Sequence, residues 1–509
     1  MSSSRDNDPN HPDDDPILAQ DEVDEEIALE DDGDVAMDSD ADSDAEELIL
    51  QNDSIAYFDR HRDSVFAIAQ HPVYPSLIAT GGSEGEDDDA PGKGYVIDTS
   101  AAPQRPVLPA SYNADPSDPT AGERPGLEAL FEIDGHTDSI SALAFTLPKG
   151  EVLVSGGMDG KLRAYAVDVK PGRPCKFTLL GETQEVPEVN WIAPCPSPEY
   201  PNTVAIGAVD GSVWVYTIDP SDSANPLQIT QSYFLHTGSC TAGAWTPDGA
   251  LLVTVSEDVT LYVWDVWGLA AAKGLGSDNG TAVSLTGADQ RFAVEGGFYS
   301  LAIEPKGAYV AVGGVGGAIR IISLPRLSQQ PQARSGGAGG KQKTRGAAGG
   351  GESSAGGQIL ASIQTQTDTI ETLAFSTLSS GAAGAAAQTT LLAAGSVDGS
   401  IAVFDASRRF AVRRHIQHAH GEHAVVKVDF VKGQWQLTSC GMDGVVRRWD
   451  LRAGGSAAGA AGADGGLIKE WKGHRGDGEG GGVLGFVQGE TGERVVTAGD
   501  DSVVLVFEA

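Results

Sequence analysis

Cysteine is scarce in this chain. There are four in 509 residues, Cys175, Cys195, Cys240 and Cys440, and no two stand in a CxxC spacing. That argues against a disulfide framework and against a cysteine zinc site. Basic residues are also few: Lys and Arg number 34 against 72 Asp and Glu, for a net charge of −38. A field of that sign repels phosphate, so nucleic acid and anionic membranes are set aside as partners and basic protein segments are favoured. No apolar run approaches membrane-spanning length, and the N-terminus lacks the basic and apolar regions of a signal peptide. The expected compartment is reducing: the cytoplasm, with the nucleus as a second location.

The charge is unevenly spread. Residues 1–50 hold 20 acids against the single base Arg5, while the rest of the chain holds 52 acids and 33 bases. A segment so acidic and so poor in aromatics cannot bury enough apolar surface to fold alone, and 1–50 reads as a disordered tail. Residues 51–509 read as one large repeat domain.

The repeat is a spaced pattern: a small or hydroxyl residue, an Asp four positions on, and an aromatic six further. Ser155–Asp159–Tyr165, Thr254–Asp258–Trp264, Ser439–Asp443–Trp449 and Thr497–Asp501–Phe507 show it in full. Asp210 with Tyr216 and Asp398 with Phe404 are weaker copies; Gly316 with Ile322 is degenerate, and the first copy has Thr80 and Glu84. Around each copy the hydrophobicity alternates with period two, as in "EVLVSGGMDGKLRAYAVD", which predicts strand, tight turn, strand. A further strand lies upstream, preceded in several copies by a histidine: His61, His136, His236, His420 or His474. Four strands per copy, stacked radially, make a propeller.

Eight copies can be counted, so the expected fold is an all-β propeller of eight blades, or seven if the degenerate fifth copy is discounted. The chain ends on "VVLVFEA", the third strand of the last blade, and "SIAYF" (Ser54 to Phe58) stands unattached before the first His. Pairing the two closes the ring and removes an open edge. Low-complexity insertions are expected as flexible loops near 333–357, 380–387 and 453–466. A fourth, near 86–128, is expected to contain the outer strand of the first blade.

His236, Thr254, Asp258 and Trp264 stand at the spacing of the structural hydrogen-bond tetrad of WD repeats, as do His420, Ser439, Asp443 and Trp449. Each Asp is expected to hold the His and the turn amides. A hydrolase triad is the competing reading of His, hydroxyl and Asp, but an active site needs one copy and this pattern recurs around the ring. No enzymatic activity is expected. "HIQHAHGEH" (His415, His418, His420, His423) raises a zinc site, yet His420 is already used and a strand turns alternate side chains to opposite faces. No metal and no cofactor are expected. "GGVGGAIR" and "APGKGY" lack phosphate-loop spacing.

The stretches "GHTDSISALAF", "HTGSCTAGAWTPDGALLVTVSEDVTLYVWD", "VAIGAVDGSVWVY" and "LLAAGSVDGSIAVFD" resemble one subfamily in order and wording. It comprises the angio-associated migratory cell protein of animals and its fungal relative, the dedicated chaperone of large-subunit ribosomal protein L-sixteen (L-ten in the older eukaryotic scheme). The resemblance spans about residues 45–509. It implies a monomeric ribosome-assembly chaperone that captures the basic N-terminal segment of a newly made ribosomal protein, co-translationally, and escorts it to pre-60S particles.

Propeller ligands usually sit on the face formed by the turns between second and third strands and the entries to the first strands. The repeat register places Asp63, Phe66, Glu84, Asp138, Glu185, Glu257, Tyr299, Asp368, Glu371 and Asp500 there. Glu371, in "TIETLAF", stands where other copies have Ser141 and Thr241, and Phe66 and Tyr299 share its register. Carboxylates there suit Lys and Arg, and the aromatic rings suit Arg stacking. Two other readings stay open. "WDLR" (Trp449, Asp450, Arg452) resembles the box by which some propellers serve as substrate receptors of cullin-type ubiquitin ligases, and a histone would be an equally basic client.

Overall fold

The computed structural model describes residues 51–85, 90–102, 126–170, 173, 175–327, 355–379, 388–452, 466–475 and 481–509. The acidic segment 1–50, the insertion at 380–387 and nearly all of those near 333–357 and 453–466 lie outside the described residues.

Eight four-stranded antiparallel sheets form eight blades. Blades 1 to 7 span 67–133, 140–184, 189–233, 240–285, 298–364, 370–416 and 425–471, each with its strands in chain order from inside to outside. Blade 8 takes its three inner strands from 483–508 and its outer strand from Ala56–Phe58, which pairs with Val504–Glu508 (Ala56 opposite Val506, Phe58 opposite Val504). The inner strand of every blade packs on that of the next, and Val483–Val487 meets Ala67–Gln70 to complete the ring. Among the described residues the only helices are four single 3-10 turns.

Two expectations need correction. The outer strand of blade 1 is Ala129–Ile133, just past 86–128; the segment 86–128 supplies the third strand, Gly92–Asp98, instead. Nor do the second strands alternate. Leu77–Ser83, Val152–Gly157 and Thr203–Ala208 are buried at every residue, because neighbouring blades cover both faces. Only small residues fit where a large one crosses the seam. Gly207 and Gly243 make room for the Trp191 indole between blades 3 and 4; a Cβ on either would lie 2.3 or 2.1 Å from the ring.

The fifth copy, degenerate in wording, still builds a full blade. In place of a polar tetrad it buries Phe292 against Phe298, ring centroids 4.9 Å apart, in a cluster with Ile322.

The tetrad of blade 7 forms as expected. His420 Nε2 lies 2.8 Å from Ser439 Oγ, His420 Nδ1 lies 2.8 Å from Asp443, and the Trp449 indole donates to Ser439 Oγ at 2.9 Å. Blade 4 departs from the expected set. His236 meets Thr254 (2.8 Å), which also accepts from Trp264 (2.8 Å), but Asp258 approaches His236 only to 3.9 Å. Thr260 Oγ1 stands between them, 2.5 Å from each. Asp258 does hold the loop, accepting from the Thr237 amide at 2.6 Å. In blade 6 Gln366 takes the histidine's place and donates to the Ser400 carbonyl at 2.9 Å.

Candidate functional site

Inner strands all run the same way through the ring. The loops entering them and the turns between second and third strands therefore share one end of the propeller. All ten expected client-binding residues lie there. Asp63, Asp138, Glu185 and Asp368 occupy entry loops, and Glu84, Glu257 and Asp500 are the first residues after second strands. Phe66, Tyr299 and Glu371 stand at the starts of inner strands.

Glu371 and Tyr299 share a backbone device. Ile370 pairs with Ser396 and Thr372 with Gly395, so Glu371 is left over as a one-residue bulge. Tyr299 is the bulge of blade 5, Ser141 of blade 2, Thr241 of blade 4 and Asn190 of blade 3. Phe66 takes the matching place immediately before Ala67–Gln70. A bulge re-aims its side chain out of the sheet's alternation. In blades 2, 3 and 4 that side chain bridges to the next inner strand: Ser141 donates to Val189 O (2.5 Å), Asn190 to Cys240 O (3.0 Å) and Thr241 to Phe298 O (2.6 Å). Phe66 and Glu371 make no such bridge and are exposed. Tyr299 donates its hydroxyl only to Gly296 O of its own loop, at 3.2 Å.

Electrostatics ties part of the set together. Burial pushes the Tyr299 hydroxyl's pKa up, and the charges of Glu257 and Glu371 push it further. Partial burial, followed by the charge of Asp368, raises the Glu371 carboxyl above its ordinary 4.5. Glu257, Tyr299, Asp368 and Glu371 thus form one anionic cluster over blades 4 to 6.

The other acids are more committed to local structure. Asp63 and Asp138 each accept the following residue's amide, at 2.7 and 2.6 Å, as Asp368 of the cluster also does at 2.7 Å. Asp500 takes the Ser64 hydroxyl at 2.5 Å, and Glu84 pairs with Arg62 at 3.3 Å. Glu185 is exposed, with the Thr183 hydroxyl 3.3 Å away.

Several residues on this face were missed from the sequence. Met158 and Val209 hold the Glu257 register, first after a second strand, and are 40% and 37% exposed. Phe234, in the loop entering blade 4, is 66% exposed with its ring edge-on to Trp214 at 5.6 Å. The register that found Glu257 also points to Met158 and Val209, but a search restricted to acids and aromatics passes over them.

Among the residues weighed for other roles, Arg452 is exposed and clamps Asp450 with two nitrogens (2.7 and 3.1 Å). Of the four clustered histidines, His420 is consumed by its tetrad, His415 belongs to the outer strand of blade 6, and His418 and His423 lie in the loop beyond it.

The family model described as "WD domain, G-beta repeat" matches residues 127–165 and 227–265. The crystal structure of Chaetomium thermophilum Sqt1 bound to the N-terminus of the ribosomal protein L10 is 58% identical, covering 90% of this chain and 100% of that one, with a TM-score of 0.74. Saccharomyces cerevisiae Sqt1 is 25% identical over the same shares, with a TM-score of 0.63. By sequence, the ribosome assembly protein SQT1 of Saccharomyces cerevisiae is 32% identical over 245 residues, 47% of this chain and 48% of that protein. The human angio-associated migratory cell protein is 23% identical over 462 residues, 90% of this chain and 80% of that protein.

Proposed function

The chain belongs to the Sqt1 family of WD-repeat proteins, and from that premise we propose that it is a ribosome-assembly chaperone for the basic N-terminal segment of ribosomal protein L10. The client is held on the face carrying Glu257, Tyr299, Asp368 and Glu371 and released to assembling large subunits. The protein acts in the cytoplasm, as a monomer, by binding alone and without chemistry of its own.

The observation that carries this reading is the Glu257–Tyr299–Glu371 cluster. The charges of Glu257 and Glu371 add to burial in raising the tyrosine's pKa, and that of Asp368 adds to burial in raising that of Glu371, so negative charge is crowded here when no cation is present. An arriving Lys or Arg relieves the repulsion and can stack on the ring. A newly made ribosomal protein carries bases with no RNA yet to neutralise them, and the anionic face covers them in the interval.

Exposed ion pairs contribute only about 0.2–1 kcal/mol each, so several must act together with an apolar anchor. Titration calorimetry with the N-terminal L10 peptide tests the reading. Wild type binds, more weakly at high salt. Glu371→Lys, which sets like charge against the ligand, folds normally and binds far more weakly. Equal affinity for the two proteins would move the client off this face.

A further inference from the structure

Charge is distributed around the ring with a strong polarity that becomes visible once the blades are assigned. From residue 177 to residue 272, covering blade 3 and most of blade 4, there is no Lys or Arg at all, against eleven Asp and Glu. The stretch 408–475, which builds the outer strand of blade 6 and all of blade 7, has twelve bases and six acids. A basic segment laid over blade 3 and the first three strands of blade 4 meets no Lys or Arg of theirs, whereas blade 7 carries several.

The base-free sector also holds an exposed apolar ledge. Phe234 is the most exposed large apolar side chain among the described residues, at 66%. It stands against half-buried Trp214, and exposed Val209 lies in the turn leading into the strand that carries Trp214. The loop that carries the ledge also reaches the anionic cluster. The loop 234–239 that carries Phe234 also accepts the Glu257 amide, at Ser239 O (3.2 Å). The turn carrying Val209 packs on that same loop, where a Cβ on Gly211 would lie 2.6 Å from Gly238 O. A solvent-exposed aromatic ring held in place by a second ring, and surrounded by one sign of charge, is the arrangement of a binding anchor.

We propose that Phe234, Trp214 and Val209 form an anchor for an apolar or aromatic residue adjoining the bases of the client segment, so that the segment runs from the anionic cluster outward over blades 3 and 4. The proposal rests on the chaperone reading and deepens it: carboxylates steer and register the bases, and the ledge supplies the slow-dissociating contact. It predicts a client that is amphiphilic as well as basic.

The test uses the full chain and two peptides, the L10 N-terminus and the same peptide with its apolar residues next to the bases replaced by Ser and every Lys and Arg kept. Phe234→Ala and Val209→Ser are compared with wild type and with Val412→Ser, an exposed outer-strand control in blade 6. Phe234→Ala should weaken the native peptide about tenfold with its salt dependence intact, and Val209→Ser less. Wild type and Phe234→Ala should bind the Ser-substituted peptide equally. Unchanged affinity in Phe234→Ala, or an equal loss with both peptides, overturns the anchor while leaving the chaperone reading standing. No binding of the native peptide to wild type overturns both. A dimer that Phe234→Ala dissolves, with peptide affinity unchanged, would make the ledge a contact between copies and overturn the proposal.

Discussion

Tyr299 and Glu371 hold the same bulge position on the inner strands of adjacent blades, and the glutamate's charge adds to burial and to Glu257 in raising the tyrosine's pKa. The carboxyl of Glu371 is itself raised above 4.5, first by burial and then by Asp368. Its ionised form is therefore disfavoured in the folded protein relative to the unfolded chain. At neutral pH it costs stability, and that cost disappears as pH falls through its raised value.

Glu371→Gln should therefore melt at the same temperature as wild type or higher at pH 7.5, while binding the L10 peptide more weakly. Wild-type affinity should also fall on acidification towards the carboxylate range, because protonation removes the charge the peptide needs. Thermal melts and calorimetry at pH 7.5 and 5.5 check both. A lowered melting temperature would make Glu371 a structural residue.

The tetrads of blades 4 and 7 predict unequal responses to one substitution. Asp443 accepts from His420 and from Arg447 (2.5 Å), and its pKa reflects this. Burial alone would raise it, yet His420 and Arg447 hold it at about 2. Asp443→Ala should cost roughly 1–3 kcal/mol in urea unfolding, leaving buried donors unmet. Asp258→Ala should cost less, because Thr260 still meets His236. Neither should change peptide affinity in the folded fraction. Equal costs would mean that the Thr260 relay contributes nothing.

The blade count, the closing strand and the grouping of the ten named residues at one end of the ring were all legible in the sequence, because each depends on the repeat register. Even the blade lacking its polar turn kept its strand spacing, so its apolar replacement, Phe292 against Phe298, did not hide it. What the register cannot convey is which side chains meet outside it. Thr260 between His236 and Asp258 is one case, invisible because a threonine two residues past the Asp looks like any strand residue. The Phe234–Trp214 ledge is another, since it joins a loop to a strand twenty positions away.

His61 presents a separate pH effect. Its Nε2 lies 2.9 Å from Thr80, but its buried Nδ1 has no hydrogen-bond partner among the described residues, and Glu84 stands where other blades have Asp. Burial drives its pKa from 6.5 down to about 3. The unfolded chain takes up this proton below 6.5 and the folded one does not. Stability is complete above pH 6.5 and declines between 6.5 and about 3, at up to about 1.4 kcal/mol per pH unit. The Asp443 contribution is lost at lower pH, between 3.8 and about 2, so the two can be separated. His61→Gln, copying Gln366 of blade 6, should keep the fold and flatten the pH 6 to 4 slope. An unaltered slope would assign the proton uptake to another group.

Closure of the ring supplies the last prediction. Before its strand begins, the N-terminal segment is already clipped to blade 7: the Asp53 amide donates to Lys472 O at 2.8 Å, and the Lys472 amide donates to the Asp53 carboxylate at 2.9 Å. The Ile55 amide then bonds Val506 O at 2.7 Å, and Ala56–Phe58 completes blade 8 with Phe58 fully buried. Deleting residues 1–45 leaves all of this in place and should not change the melting temperature. Deleting 1–60 removes Ile55 and Phe58, whose burial contributes roughly 1.5–3 kcal/mol each, and exposes the edge of Val504–Glu508. That truncation should melt well below wild type and aggregate on standing. Phe58→Asp, which keeps the backbone but places a charge in the core, should fall between the two. Differential scanning calorimetry on the four proteins decides it, and identical melting of the two truncations would show that the ring holds without its N-terminal strand.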